Sequence, residues 1–285
     1  MSQTNRRLLY IISGSKGGTG KSMVAAGILN SYIGQQASVE LLESDISNPD
    51  VMPLVGDIPM KAVEKWGTLE GWQKLAQECQ ASRATVAVLN SRAGDVTAFE
   101  SFLRGTHTGK LGIEEWEMAK AELTDILAAC GRRIVYCHVM RREPVNVQLA
   151  RDVLPWLPES VAKVALRNLY YGGPEEFHFW NNSQTRQAWL ARRGIEVNWP
   201  AATDHLMARV YQLGSEAKTG AADLKTCTDY AMVTGKVLLD TTRPLPMANM
   251  DAMRKAGATE DLISCLYHHQ QRINRTVAEI ERQIW

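Results

Sequence analysis

Apolar residues fall along this chain in short runs separated by longer stretches of helical spacing. Leu8-Leu9-Tyr10-Ile11-Ile12 is continuously apolar, which predicts a strand buried on both faces. Met23, Val24, Ala25, Ala26, Ile28 and Leu29 then follow in a pattern that suits a helix packed on a sheet. Further strands are predicted over 37–45, 84–89, 133–140, 161–166 and 195–200. Helices are predicted over 69–80, 113–129, 144–158 and 182–193. Gly131 is placed to end the second of these helices and Pro144 to begin the third. Such alternation predicts an α/β protein in three layers, a mostly parallel sheet flanked by helices. Beyond 203 the pattern is helical: 204–213, 221–239, a loop with Pro244 and Pro246, then a last helix over 259–284. The boundaries expected are an α/β domain over 1–213 and a helical C-terminal extension over 214–285. The extension would pack on the same domain or on a partner subunit.

Composition narrows the class without naming a partner. The 285 residues are 45% hydrophobic and 22% charged, ordinary for a globular protein. A net charge of +1 gives no global argument for nucleic acid or anionic membrane. No apolar run approaches the ~20 residues of a membrane span. Cys79, Cys130, Cys137, Cys227 and Cys265 lack paired metal-site spacing and read as free thiols of a reducing cytoplasm. A cleaved leader is not expected, because cleavage would destroy the motif that follows the first strand.

That motif is Gly14-Ser15-Lys16-Gly17-Gly18-Thr19-Gly20-Lys21-Ser22. Strand, glycine-rich loop and helix in this order are the setting a phosphate-binding loop requires. Glycines let backbone N–H groups turn toward an anion, and the helix N-terminus adds its positive dipole end. Lys21 would reach the β- and γ-phosphates, and the Ser22 hydroxyl would hold Mg²⁺. Two departures stand out: Ser15 replaces the first expected glycine, and Lys16 adds a second lysine.

The K-G-G-x-G-K-[ST] form resembles the deviant Walker A motif of the ParA/MinD/nitrogenase-iron-protein family of P-loop ATPases. The resemblance implies a P-loop NTPase fold over 1–213, binding ATP and Mg²⁺ through Gly17, Gly18, Thr19, Gly20, Lys21, Ser22 and Met23. It implies that Lys16 crosses a dimer interface to the nucleotide of the other subunit. Relatives carry a D-x-D element after the second strand. Here Glu43 and Asp45 occupy its two positions, and Asp45 is the residue expected to orient water and approach the metal. The stretch Asn90-Ser91-Arg92-Ala93-Gly94 resembles the family's D-[ST]-P-A-G element. Asn90 stands where the metal-shell aspartate is usual, which leaves ATP binding in place and puts fast hydrolysis in doubt; Gly94 remains available to the γ-phosphate. Asn168 matches the family's base-reading asparagine by position, although an asparagine ahead of Gly172-Gly173 also reads as a turn former. Pro200, after the last strand, is a weaker base contact.

Other conspicuous residues have plainer readings. Trp66 and Trp72 suit a core or a subunit interface better than a ligand contact. His138, at a strand end, suits a buried hydrogen-bonded histidine better than a catalytic one. The last helix could form an amphipathic membrane anchor, but Glu279 and Glu281 favour packing on protein. Within the family, Ser101-Phe102-Leu103, Cys137-His138-Val139-Met140 and Asn168-Leu169-Tyr170-Tyr171-Gly172 look most like the TraL/StbB-type group of conjugative plasmids. This resemblance implies an ATP-dependent homodimerisation switch with slow hydrolysis, acting in plasmid partition, DNA positioning or conjugative transfer with a partner or activator protein. Arginine pairs at 6–7, 132–133, 141–142 and 192–193 would supply a non-specific DNA surface. Two alternatives remain: a nucleotide-binding scaffold with little hydrolysis, or a metabolic ATP-dependent ligase of the same fold.

Overall fold

The computed structural model describes residues 7–14, 18–46, 51, 55, 58–92, 113–201 and 260–285. Seven strands form one sheet: β1 (Leu8–Ser13), β2 (Val39–Glu43), β3 (Met60–Ala62), β4 (Val86–Asn90), β5 (Arg133–Met140), β6 (Ala162–Asn168) and β7 (Ile195–Trp199). Their order is β3-β2-β4-β1-β5-β6-β7, and every neighbouring pair is parallel. The helices are α1 (Lys21–Ile33), α2 (Leu69–Ala81), α3 (Ile113–Ala129), α4 (Pro144–Val153), α5 (His178–Asn181), α6 (Gln184–Ala191) and α7 (Glu260–Ile284). The architecture is the expected α/β one, a seven-stranded parallel sheet flanked by helices, with a helix from the C-terminal region.

Strand periodicity divides the core into two layers. Leu9 and Ile11 of β1 face Trp66, Trp72, Leu75, Leu123, Trp156 and Trp189 on one side of the sheet. Leu8, Tyr10 and Ile12 face the other side, where α1 packs with Ile273, Val277, Ile280 and Ile284 of α7. The tryptophans at 66 and 72 therefore fill the core, their rings 4.0 Å apart. α1 is buried nearly all round, because the sheet covers one face and α7 covers another. Gly27 permits this approach: a Cβ there would lie 2.7 Å from Trp199 Cζ2 and 3.2 Å from Ile273 Cδ1.

A buried polar chain ties the same three elements together. The Tyr10 and Tyr32 hydroxyls are 2.7 Å apart, and Tyr32 donates to Glu281 Oε1 at 2.7 Å. Burial pushes both phenol pKa values up, so each stays a neutral donor. Tyr32→Phe removes both links and leaves Tyr10 and Glu281 short of a partner. Urea unfolding of that variant is expected to show a loss of about 1–3 kcal/mol.

The structure differs from the sequence expectations in three local places. β3 lies where the residue pattern predicts no strand; it is a three-residue edge strand whose Lys61 pairs with Glu40 at 3.2 Å and Glu78 at 3.1 Å. The helix expected over 144–158 ends at Val153, and a 3₁₀ turn over Leu154–Trp156 carries Pro155, which has no N–H to continue it. The helix expected over 182–193 starts at Gln184, where the Ser183 hydroxyl caps the Arg186 N–H at 3.0 Å. Helices expected over 204–213 and 221–239, the Pro244/Pro246 loop and the segment at 101–103 lie outside the described residues. Among the described residues, no helix is long and apolar enough to cross a membrane.

Candidate phosphate-binding site

β1 lies where the chain changes direction across the sheet, between β4 on one side and β5 on the other. Open parallel sheets bind ligands at the carboxyl ends of strands at such a point. The glycine-rich loop leaves β1 there. Gly14 approaches the neighbouring strand so closely that a Cβ would lie 2.8 Å from the Val139 carbonyl oxygen. Gly18 and Gly20 adopt φ of 79° and 91°, a left-handed backbone that favours glycine. Gly20 delivers the chain into α1, which begins at Lys21. Lys21 is only 7% exposed, and its stem passes over Gly14, Cδ lying 3.7 Å from the position of a Cβ. Ser22 and Met23, both half-buried, follow in the first turn, and Thr19 is buried. Lys16 and Gly17 lie outside the described residues.

The far wall of the loop comes from β6. Asn168 Nδ2 donates to the Thr19 carbonyl at 2.9 Å, while its Oδ1 accepts the Tyr170 N–H at 3.2 Å. The amide also closes against Gly20, where any Cβ would collide with Nδ2. Tyr171 donates its hydroxyl to the Gly18 carbonyl, and Arg141 lies over the Tyr171 ring at 5.2 Å. Asn168 thus braces the phosphate loop from behind, a use that its sequence position alone did not disclose. Pro200 is half-buried at the end of β7, and Arg272 of α7 donates to the adjacent Ala201 carbonyl at 3.3 Å.

The other wall is acidic. Glu43 ends β2 and Asn90 ends β4, and the parallel register sets them side by side. Asn90 Nδ2 donates to both Glu43 oxygens, at 3.2 and 3.1 Å, and the Asp45 N–H donates to Oε1 at 2.9 Å. Glu43 is fully buried. Desolvation pushes its pKa up to about 7, against the amide donors that lower it. This carboxylate therefore costs the fold stability as pH rises from 4.5 through about 7. Asp45 is half-buried in the next turn, its backbone engaged with Glu43. Ser44 links the two loops, its hydroxyl donating to the Asn90 carbonyl at 3.1 Å and accepting the Arg92 N–H at 2.6 Å. Gly94 lies outside the described residues.

These groups fit a phosphate and a hard cation. A side chain at Gly14 or Gly20 would strike its neighbours, Gly18 holds a left-handed backbone, and a buried lysine follows at the helix N-terminus. Among the described residues, Asn90 Oδ1, whose amide meets Glu43, and Ser91 Oγ, one residue on, are buried oxygens without a hydrogen-bond partner. Oxygen donors of this kind suit Mg²⁺ or its water. Among the described residues, no cluster of three His, Cys, Asp or Glu forms a self-contained metal site.

His138 is not part of this machinery. It is fully buried, pairs with Ser13 in the β1–β5 register, and has Nε2 2.9 Å from the Asn146 carbonyl. Desolvation pushes its pKa down to about 4, the Lys21 charge acts the same way, and the Asn146 carbonyl opposes them. The unfolded histidine takes its proton near pH 6.5 and the folded one near 4. Stability is therefore full above about pH 6.5 and is lost as pH falls toward 4, by about 3 kcal/mol. Urea melts at pH 7.5 and 4.5 are expected to differ less in His138→Gln than in wild type, by most of that amount.

The arginine pairs are largely engaged within the chain. Arg7 donates to the Cys79 and Ser82 carbonyls, Arg132 to Leu8, Arg133 to Ile284 and Arg192 to Leu154 and Leu157. Arg141 and Arg142 pair with Glu143 and Glu176.

No protein-family profile matches the chain. Protein MobD of Acidithiobacillus ferrooxidans is 28% identical over 206 residues, spanning 71% of this chain and 82% of that protein. Among solved structures, a nucleotide-binding protein of Archaeoglobus fulgidus in complex with ADP aligns with a TM-score of 0.44 at 10% identity, covering 81% of this chain and 89% of that one. The signal recognition particle 54 kDa protein of Aeropyrum pernix, in complex with GDP, aligns with a TM-score of 0.41 at 10% identity, covering 98% of this chain and 79% of that one.

Proposed function

We propose that this protein is a nucleotide-dependent switch of the ParA/MinD type, binding ATP with Mg²⁺ and dimerising when it does so. The observation that carries the reading is the braced glycine loop running into α1 with Lys21 buried at its start. Lys21 offsets phosphate charge within its own subunit, and Lys16 reaches the nucleotide of a second copy. Mg²⁺, when bound, would supply positive charge that offsets the charge of the phosphates. Ser22 offers its hydroxyl to that ion, and Asp45 orients the attacking water. Asn168 and Tyr171 hold the loop's carbonyls so that its N–H groups stay turned toward the phosphates. Hydrolysis is slow and acts as a timer: loss of the γ-phosphate opens the dimer and releases its partner. The similarity to MobD, by its name, supports a setting in DNA mobilisation or partition. Cytoplasmic location, a partner protein that accelerates turnover and non-specific DNA as a surface complete the reading.

A second reading is favoured by Asn90: a nucleotide-loaded scaffold that hydrolyses little. Light scattering on size-exclusion columns, with ATP and with ADP, tests the switch in wild type and Lys16→Ala. ATP-dependent dimers of wild type and monomers of the variant, at equal ATP affinity, support it. Identical mass in every condition overturns the dimer switch and leaves the scaffold.

A further inference from the structure

The metal shell expected from the resemblance has lost its carboxylate on β4, where Asn90 stands. The adjoining strand carries one that the expectation passed over. Glu43 is the register neighbour of Asn90, lies at the same sheet end and is 0% exposed. Among the described residues its carboxylate accepts from the Asn90 amide and from backbone N–H groups, feels the like charge of Asp45, and pairs with no lysine or arginine. A buried carboxylate without a cation destabilises a fold, so its presence calls for a compensating ligand. Asn90 is suited to hold it. An aspartate at 90 would set two buried carboxylates about 3 Å apart, where both cannot ionise without a cation. An amide instead donates its N–H₂ to Glu43 and keeps its buried Oδ1, which has no hydrogen-bond partner among the described residues, as an oxygen donor.

We infer that Glu43 supplies the negative charge for the Mg²⁺ shell of the bound nucleotide, transferred from β4 to the neighbouring strand, with Asn90 as its positioning residue. This rests on the nucleotide reading above and alters one part of it: the charged oxygen on the metal side is that of Glu43, and Asp45 is left to the water.

The test is a charge swap read as binding. Affinity for a fluorescent ATP analogue is measured with excess Mg²⁺ and with EDTA, on wild type, Glu43→Gln, Asn90→Asp and the double variant. Melting temperature is followed in parallel. Wild type is expected to bind more tightly with Mg²⁺. Glu43→Gln should lose about 10- to 100-fold of that enhancement while its affinity in EDTA and its melting temperature hold or rise. Asn90→Asp alone should melt lower in EDTA and regain stability with Mg²⁺ and nucleotide. The double variant should recover the Mg²⁺ enhancement, because the carboxylate has moved one strand over. A merely structural pair would alter melting without altering the ratio of the two affinities. The inference is overturned if Glu43→Gln keeps the full enhancement, or if Asn90→Asp strengthens Mg²⁺-linked binding with no penalty in melting. If wild type binds no nucleotide in either condition, the nucleotide reading itself falls. If all four proteins bind equally in EDTA and only the swap fails, Glu43 alone is wrong.

Discussion

Lys21→Met is expected to weaken ATP binding by about 2–5 kcal/mol, roughly 30- to 5,000-fold in Kd, while leaving the nucleotide-free protein folded. Two facts set this combination. Lys21 is 7% exposed, so its ammonium is mostly withdrawn from water before any anion arrives. Its stem lies on Gly14, and methionine keeps that packing while removing the charge. A cation so withdrawn from water gains most when a phosphate is present. Melting of the empty variant should stay cooperative, and titration with a fluorescent ATP analogue should show the loss. A variant that binds as wild type does would remove Lys21 from the site.

Val277→Asp is expected to abolish cooperative folding or the soluble protein itself. Val277 is fully buried between α7, α1 and the sheet. An unpaired carboxylate there costs on the order of 4 kcal/mol or more, against a total stability of about 5–15 kcal/mol for a domain. Arg275, two positions earlier and exposed, is the control; Arg275→Ala should stay within about 0.5 kcal/mol of wild type. Circular-dichroism melts of both decide whether α7 belongs to the core. If Val277→Asp melts as wild type does, α7 is an attachment and the Tyr32–Glu281 link is dispensable.

What could be read from residues alone follows from the range of each signal. The run from Leu8 to Leu29 announces strand, loop and helix because its information is local. The sheet's parallel character likewise follows from strands separated by helices. β3 was invisible: three residues with a lysine in the middle carry no alternation to detect, and the strand exists because β2 offers it an edge. The apolar positions 273, 277, 280 and 284 display a helix face, but not that Gly27 of α1 leaves room for it. The Glu43–Asn90 pair is harder still. Each residue reads as a departure from a family pattern when taken singly. Only the register of β2 against β4 makes the two departures one arrangement. Position marks Asn168 as a base reader or a turn former; the contact its amide makes is with the loop's backbone, across 149 residues of chain.

The docking of α7 on α1 also governs how the molecule is made. Tyr32 and Glu281 are separated by 249 positions. Translation at about 5–20 residues per second puts roughly 12–50 s between the emergence of the two. Through that interval α1, with Gly27 and its apolar neighbours, has left the ribosome without the helix that covers it. A nascent chain in this state shows an uncovered apolar stripe next to its phosphate loop, a natural target for holding chaperones. The packed state of α1 should thus arrive long after α1 itself is made, when α7 closes over it.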